Sequence, residues 1–125
     1  MEQRMKAIID SDVMIDYLQG VEAAKVELAK YSHREASIVS WMEVMSGADN
    51  KQEAKACSDF LNTFTFHEVN KEIAAEAVEL RKVFKLRLPD AIIWATARVN
   101  GYIIVTRNAK DFPVSEPGVR IPYNL

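Results

Sequence analysis

Residues 89–97 read Pro-Asp-Ala-Ile-Ile-Trp-Ala-Thr-Ala, a segment with the length of a helix and almost no polar side. A helix that is apolar nearly all round has to be buried, between a sheet and other helices. Pro89 suits its first turn, where the missing N–H would have no intrahelical partner anyway. Asn100-Gly101 supplies a stop beyond Val99.

Around this segment, runs of β-formers alternate with helical periodicity. The pattern predicts a strand over 6–10 and then a helix capped by Ser11 or Asp12, with Met14, Ile15 and Leu18 apolar and Gly20 ending it. A helix follows over 21–31, a strand over 36–39, and a helix opening at Ser40 and running to Gly47. Residues 51–64 are helical in period, 65–69 read as a strand, and Asn70 can cap a helix over 71–84. A strand over 102–106 and an edge strand over 119–121 complete the set. Such alternation implies a three-layer α/β/α fold, with a central, mainly parallel sheet of 4–5 strands flanked by helices. With 125 residues and no low-complexity tract or repeat, the expectation is one domain over 1–125.

The lone cysteine, Cys57, excludes an intramolecular disulfide, fits a reducing cytosol, and reads as a small buried helix residue. No apolar run approaches the roughly 20 residues of a membrane span. The N-terminus is charged from Glu2 to Lys6, and Asp10, Asp12 and Asp16 interrupt the apolar stretch after it, so no secretory leader is expected. A cytoplasmic protein is the implied class. The net charge of −2 does not by itself draw in a polyanion. The charge is uneven, however: residues 1–70 carry 7 Lys/Arg against 12 Asp/Glu, and residues 71–125 carry 9 against 6. Nucleic acid could therefore bind locally.

In open parallel sheets, sites form beyond the carboxyl ends of strands. Asp10 and the loop after Val105 stand at such ends, and Glu43 and Asp90 lie near helix N-termini that can reach the same edge. Simpler readings exist for several of these acids. Ser40 and Glu43 have the spacing of a capping box. Asp90 is a first-turn acid facing a helix dipole. Asp16, four residues from Asp12, reads as a solvated helix-face acid. Asp10 resists such treatment, because a carboxylate directly after a buried strand is costly if unpaired. Converging carboxylates stay ionised cheaply only when a cation joins them. Oxygen ligands without nearby histidine or thiolate favour Mg²⁺ or Mn²⁺, which suits metal-assisted phosphodiester hydrolysis.

Four motifs in order carry a family resemblance. Ile8-Ile9-Asp10-Ser11-Asp12-Val13-Met14-Ile15-Asp16-Tyr17-Leu18 resembles the opening of PIN-domain ribonucleases, especially the VapC-type toxins. Ser40-Trp41-Met42-Glu43-Val44-Met45-Ser46-Gly47 is similar to their second acidic motif. Leu88-Pro89-Asp90-Ala91-Ile92-Ile93-Trp94 resembles the third, and Val105-Thr106-Arg107-Asn108-Ala109-Lys110-Asp111-Phe112 the fourth. The resemblance implies an endoribonuclease dependent on one or two Mg²⁺ or Mn²⁺ ions. It also implies a homodimer neutralised by a small antitoxin protein. Asp10, Glu43 and Asp90 would be the core metal ligands and, with Asp111, the catalytic acids.

Asn108 departs from the Asp found there in many PIN domains. Its amide oxygen can ligate a metal without bringing charge, and Asp111 can compensate through water. Asp12 and Thr106 are auxiliary candidates, by added charge and by a hydrogen bond to a ligand. Arg107, Lys110 and Arg87 are candidate contacts to RNA phosphates, and Arg81, Lys82 and Lys85 extend the basic run. Tyr17, Leu18, Trp41, Met42 and Met45 could line a groove for an antitoxin helix or a dimer contact, although a simple core role is the plainer reading of Leu18 and Met45. Two other functions fit parts of the pattern. A non-catalytic PIN-like module could bind RNA or a partner, and Asp10-Ser11-Asp12 after a strand also opens the haloacid-dehalogenase-like phosphatases.

Overall fold

The computed structural model describes residues 6–125; the charged positions Glu2 and Arg4 read above lie outside the described residues. The strands are β1 (Ala7–Ile9), β2 (Arg34–Ser37), β3 (Phe64–His67), β4 (Ile103–Val105) and β5 (Val119–Arg120). The helices are α1 (Ser11–Leu18), α2 (Glu22–Leu28), α3 (Ile38–Ser46), α4 (Lys51–Leu61), α5 (Lys71–Phe84) and α6 (Leu88–Asn100). The strands form one sheet in the order β3-β2-β1-β4-β5, with every pairing parallel.

The pleat of β1 divides the core. Ala7 and Ile9 pack with Val13, Met14 and Leu28 on one face, while Ile8 packs with α5 and α6 on the other. The segment from Ala91 to Ala97 is buried as its composition requires, apart from half-buried Ile92. Trp94 lies between Phe84 and Phe112, at ring centroid separations of 5.0 and 5.5 Å. Pro89 stands in the first turn of α6, and Gly101 closes the helix at a φ of 72°, where a side chain would be strained.

Several boundaries move, for local reasons. Asp10 itself caps α1, its side chain accepting from the Ser11 N–H, so the cap is neither Ser11 nor Asp12. Ser37 caps α3 by accepting from the Val39 N–H at 3.1 Å. Ser40 therefore lies inside α3, and the capping box expected with Glu43 does not form. The strand before it begins earlier than expected because Arg34 and Glu35 pair in register with Phe64 and Thr65 of β3. Helix α4 ends at Leu61, which frees Phe64 to start β3. Cys57 is half-buried against the first core cluster, rather than fully buried.

Candidate active site

The strand order reverses between β1 and β4, which is where open parallel sheets leave a crevice at their carboxyl edge. Asp10 follows β1 and Thr106 follows β4, and the Asp10 N–H donates to the Val105 carbonyl at 2.9 Å. Asp10 is 4% exposed. One carboxylate oxygen accepts from the Ser11 N–H at 2.7 Å and the other from the Thr106 hydroxyl at 2.8 Å. Burial pushes its carboxyl well above the ordinary range, and the charges of Asp12 and Asp90 add to the shift against the two hydrogen bonds. Burial raises Asp12 as well, opposed by the backbone N–H and charge of Arg107.

Glu43 joins this edge through a hydroxyl. Ser11 Oγ contacts Glu43 Oε1 at 2.5 Å and Ser40 Oγ at 3.0 Å, so a serine inside the first motif ties α1 to α3. Asp90 is 5% exposed, and its Oδ2 accepts from Arg87 Nε at 3.2 Å. Arg87 is exposed, and the hydrogen bond and charge of Asp90 raise its pKa, with Glu43 and Asp111 adding to the field. The structure thus joins Asp10 and Asp12 through Thr106 and brings Glu43 to the residue after Asp10, while Asp90 meets Asp10 only through charge and Asp111 is held by Asn108.

The turn after β4 binds back onto α1. Thr106 also reaches Asp12 at 3.3 Å, as does the Arg107 N–H. The Arg107 guanidinium is turned inward onto Asp16, which also accepts from the Tyr123 hydroxyl at 2.7 Å. Asp16 is buried, so the solvated-face expectation fails; its partners lie some 90 residues or more away in sequence, beyond the reach of local pattern. Asn108 and Asp111 bond each other at 2.8 Å, side chain to side chain, near the surface. Exposed Lys110 lines a cavity of about 470 Å³ together with Asp12, Arg107, Asn108 and the C-terminal residues Asn124 and Leu125. Sequence reasoning gave Ser11 and Ser40 only capping roles and overlooked Tyr123. Ser11 lay within a quoted motif, and its place beside Asp10 was the available signal.

The donor set fits a hard divalent cation. It is all oxygen, and Asp10 is opposed by like charges that a cation would relieve. Among the described residues no three acidic, histidine or cysteine side chains are close enough together, as they stand, to hold a metal ion. Glu43 is turned toward Ser11 and Asp90 toward Arg87. Mg²⁺ keeps several waters and does not require an all-protein cage.

A family model described as PIN domain matches residues 7–114. The chain belongs to the PIN-domain family. Ribonuclease VapC10 of Mycobacterium tuberculosis is 30% identical over 117 residues, covering 87% of each chain. A solved chain of a toxin–antitoxin complex from Klebsiella pneumoniae superposes with a TM-score of 0.89 at 38% identity, covering 96% of this chain and 100% of that one. FitAcB from Neisseria gonorrhoeae has a TM-score of 0.79 at 18% identity, covering 94% of this chain and 98% of its own, and speaks for the fold alone. The PIN resemblance read from four acidic motifs is borne out, and the three-layer fold with it.

Proposed function

We propose that this PIN-domain protein is an endoribonuclease that hydrolyses RNA phosphodiester bonds with Mg²⁺ or Mn²⁺, acting in the cytoplasm as the toxin of a toxin–antitoxin pair. The observation that carries the reading is Asp10. It is a buried carboxylate at the reversal point of the sheet, its ionisation opposed by Asp12 and Asp90, with Glu43 one hydroxyl away through Ser11. Asp10, Glu43 and Asp90 would hold the ion, with Asn108 and Asp111 as further candidate ligands. Bound there, a divalent ion supplies charge neutralisation at the scissile phosphate and an activated water.

The chain's own groups orient that set. Thr106 fixes the rotamer of Asp10, the Arg107 N–H holds Asp12, and Ser11 steers Glu43. Arg87 and Lys110 are the groups open to an RNA backbone. The relatives' names support both parts of the reading, ribonuclease for one and toxin–antitoxin complex for another. For the antitoxin we assign the groove of about 430 Å³ between α1, α3 and α4, lined by Ile15, Leu18, Val44, Ala56 and Cys57 among others. Of the residues considered for such a groove only Leu18 lines it; Leu18 and Met45 also pack on the core cluster, Trp41 and Met42 are exposed on α3, and Tyr17 is stacked on Phe60 at 4.6 Å. A homodimer completes the proposal.

The test is RNA cleavage by the purified chain in chelator and after Mn²⁺ is restored, alongside Asp90→Asn. Cleavage that needs the ion and disappears in the folded variant is the expected outcome. Cleavage unaffected by chelator, or retained in the variant, would contradict the mechanism.

A further inference from the structure

Resting on that reading, we propose that Asp16 and Tyr123 are positioning residues. They clamp Arg107 so that the 106–108 turn keeps its donors aimed at Asp10 and Asp12. The turn has two kinds of tie to α1. Thr106 Oγ reaches Asp10 at 2.8 Å and Asp12 at 3.3 Å, and the Arg107 N–H reaches Asp12 at 3.3 Å. Those ties end on carboxylates that a cation would draw upon, so they weaken when the turn most needs to be held.

The remaining tie is independent of them. Arg107 forks onto Asp16, with Nη2 at 3.0 Å from Oδ1 and Nε bonded to Oδ2, while the Tyr123 hydroxyl donates to Oδ2 at 2.7 Å. Asp16 is 3% exposed, so its charge is stable only with such partners. The Tyr123 side chain packs on the same core cluster as α1, which makes the C-terminal segment part of the clamp. Arg107 also lies within the field of Asp12. Released from Asp16, its guanidinium would swing toward Asp12 and compete with a cation there.

The molecule contains its own control. Glu27 of α2 accepts a fork from Arg120 at 2.7 and 2.8 Å and the Tyr31 hydroxyl at 2.7 Å, similar chemistry that meets the turn only through the Arg120 carbonyl, which accepts from the Thr106 N–H at 3.1 Å. Tyr123→Phe and Tyr31→Phe therefore remove the same kind of bond, a tyrosine hydroxyl to an arginine-paired buried carboxylate, although Glu27 keeps Lys30 at 3.3 Å as a further partner.

Two readouts on the full chain separate positioning from simple stability: amide hydrogen exchange at Arg107 and Asn108 without metal, and Mn²⁺ affinity by calorimetry. Tyr123→Phe should speed exchange at these amides about tenfold and weaken Mn²⁺ binding about three- to tenfold, consistent with loss of a hydrogen bond to a charged group. Tyr31→Phe should lower the melting temperature comparably and move neither readout. Arg107→Lys, which keeps the charge and loses the fork, should behave like Tyr123→Phe. Unchanged readouts in Tyr123→Phe, or equal changes in both Tyr→Phe variants, would overturn the proposal. A wild-type chain that binds no Mn²⁺ would instead sink the nuclease reading, and the exchange contrast alone would then decide the clamp.

Discussion

Replacing Asp10 by Asn removes a buried charge that its surroundings oppose, and the consequence should change sign with pH and with metal. Burial, Asp12 and Asp90 raise the Asp10 carboxyl, so in the folded chain it ionises above the roughly 3.9 of a free aspartate. Stability linked to the neutral form is whole below the unfolded value and is lost as pH rises through the folded one, at about 1.4 kcal/mol per unit of separation. The amide introduced by Asp10→Asn would not titrate, but it offers one carbonyl oxygen where two carboxylate oxygens now accept from Ser11 and Thr106. Loss of one such bond costs on the order of 1–2 kcal/mol. In chelator, Asp10→Asn should therefore be the less stable protein near pH 4 and should gain on wild type as pH rises toward 8. Mn²⁺ at a hundred times its dissociation constant should then add about 2.7 kcal/mol to wild type alone. For a chain of this size that is about 10 °C in melting temperature. Urea titrations across pH, repeated with chelator and with Mn²⁺, read both effects. Equal stabilisation of both proteins by Mn²⁺ would refute the reasoning, as would a metal-free difference that does not narrow as pH rises.

Glu27 supplies a pH dependence of opposite sign. Burial pushes its carboxyl up, but the Arg120 and Tyr31 hydrogen bonds outweigh it and hold the group at about 2. Its contribution is complete above the ordinary glutamate range and is lost as pH falls toward 2, so Glu27→Gln should cost about 3 kcal/mol at pH 7 and progressively less in acid, by urea unfolding. Trp94→Ala should cost about 3–5 kcal/mol in the same assay, because it empties the space between Phe84 and Phe112. Ser11→Ala should slow RNA cleavage about tenfold and lower the melting temperature by several degrees (about 1–2 kcal/mol), since it releases Glu43 and deprives the buried Ser40 hydroxyl of its partner without touching a ligand atom.

What could be read from the sequence was periodic or local. The burial of α6 followed from its lack of a polar face, and the parallel sheet from alternation of short strands with helices. Asp10 and Asp90 were visible because they sit at element ends, which a parallel sheet carries to one edge, whereas Glu43 lies inside α3 and was visible only through its motif. What escaped notice depends on partners remote in sequence. Asp16 looks like a solvated helix acid until Arg107 and Tyr123 are brought to it. Glu27 is likewise buried only because Arg120 arrives from β5. The Ser40 cap failed because Ser37, three residues earlier, reaches the Val39 N–H first, and two serines at that spacing look alike in sequence.

Anomalous scattering from a Mn²⁺-soaked crystal tests the central claim most directly. The account predicts a peak bounded by the carboxylates of Asp10, Glu43 and Asp90, with Glu43 still held by Ser11 through one oxygen and Asp90 turned away from Arg87. A saturated crystal with no peak there, or with Mn²⁺ held at a place that Asp10 does not touch, would contradict it.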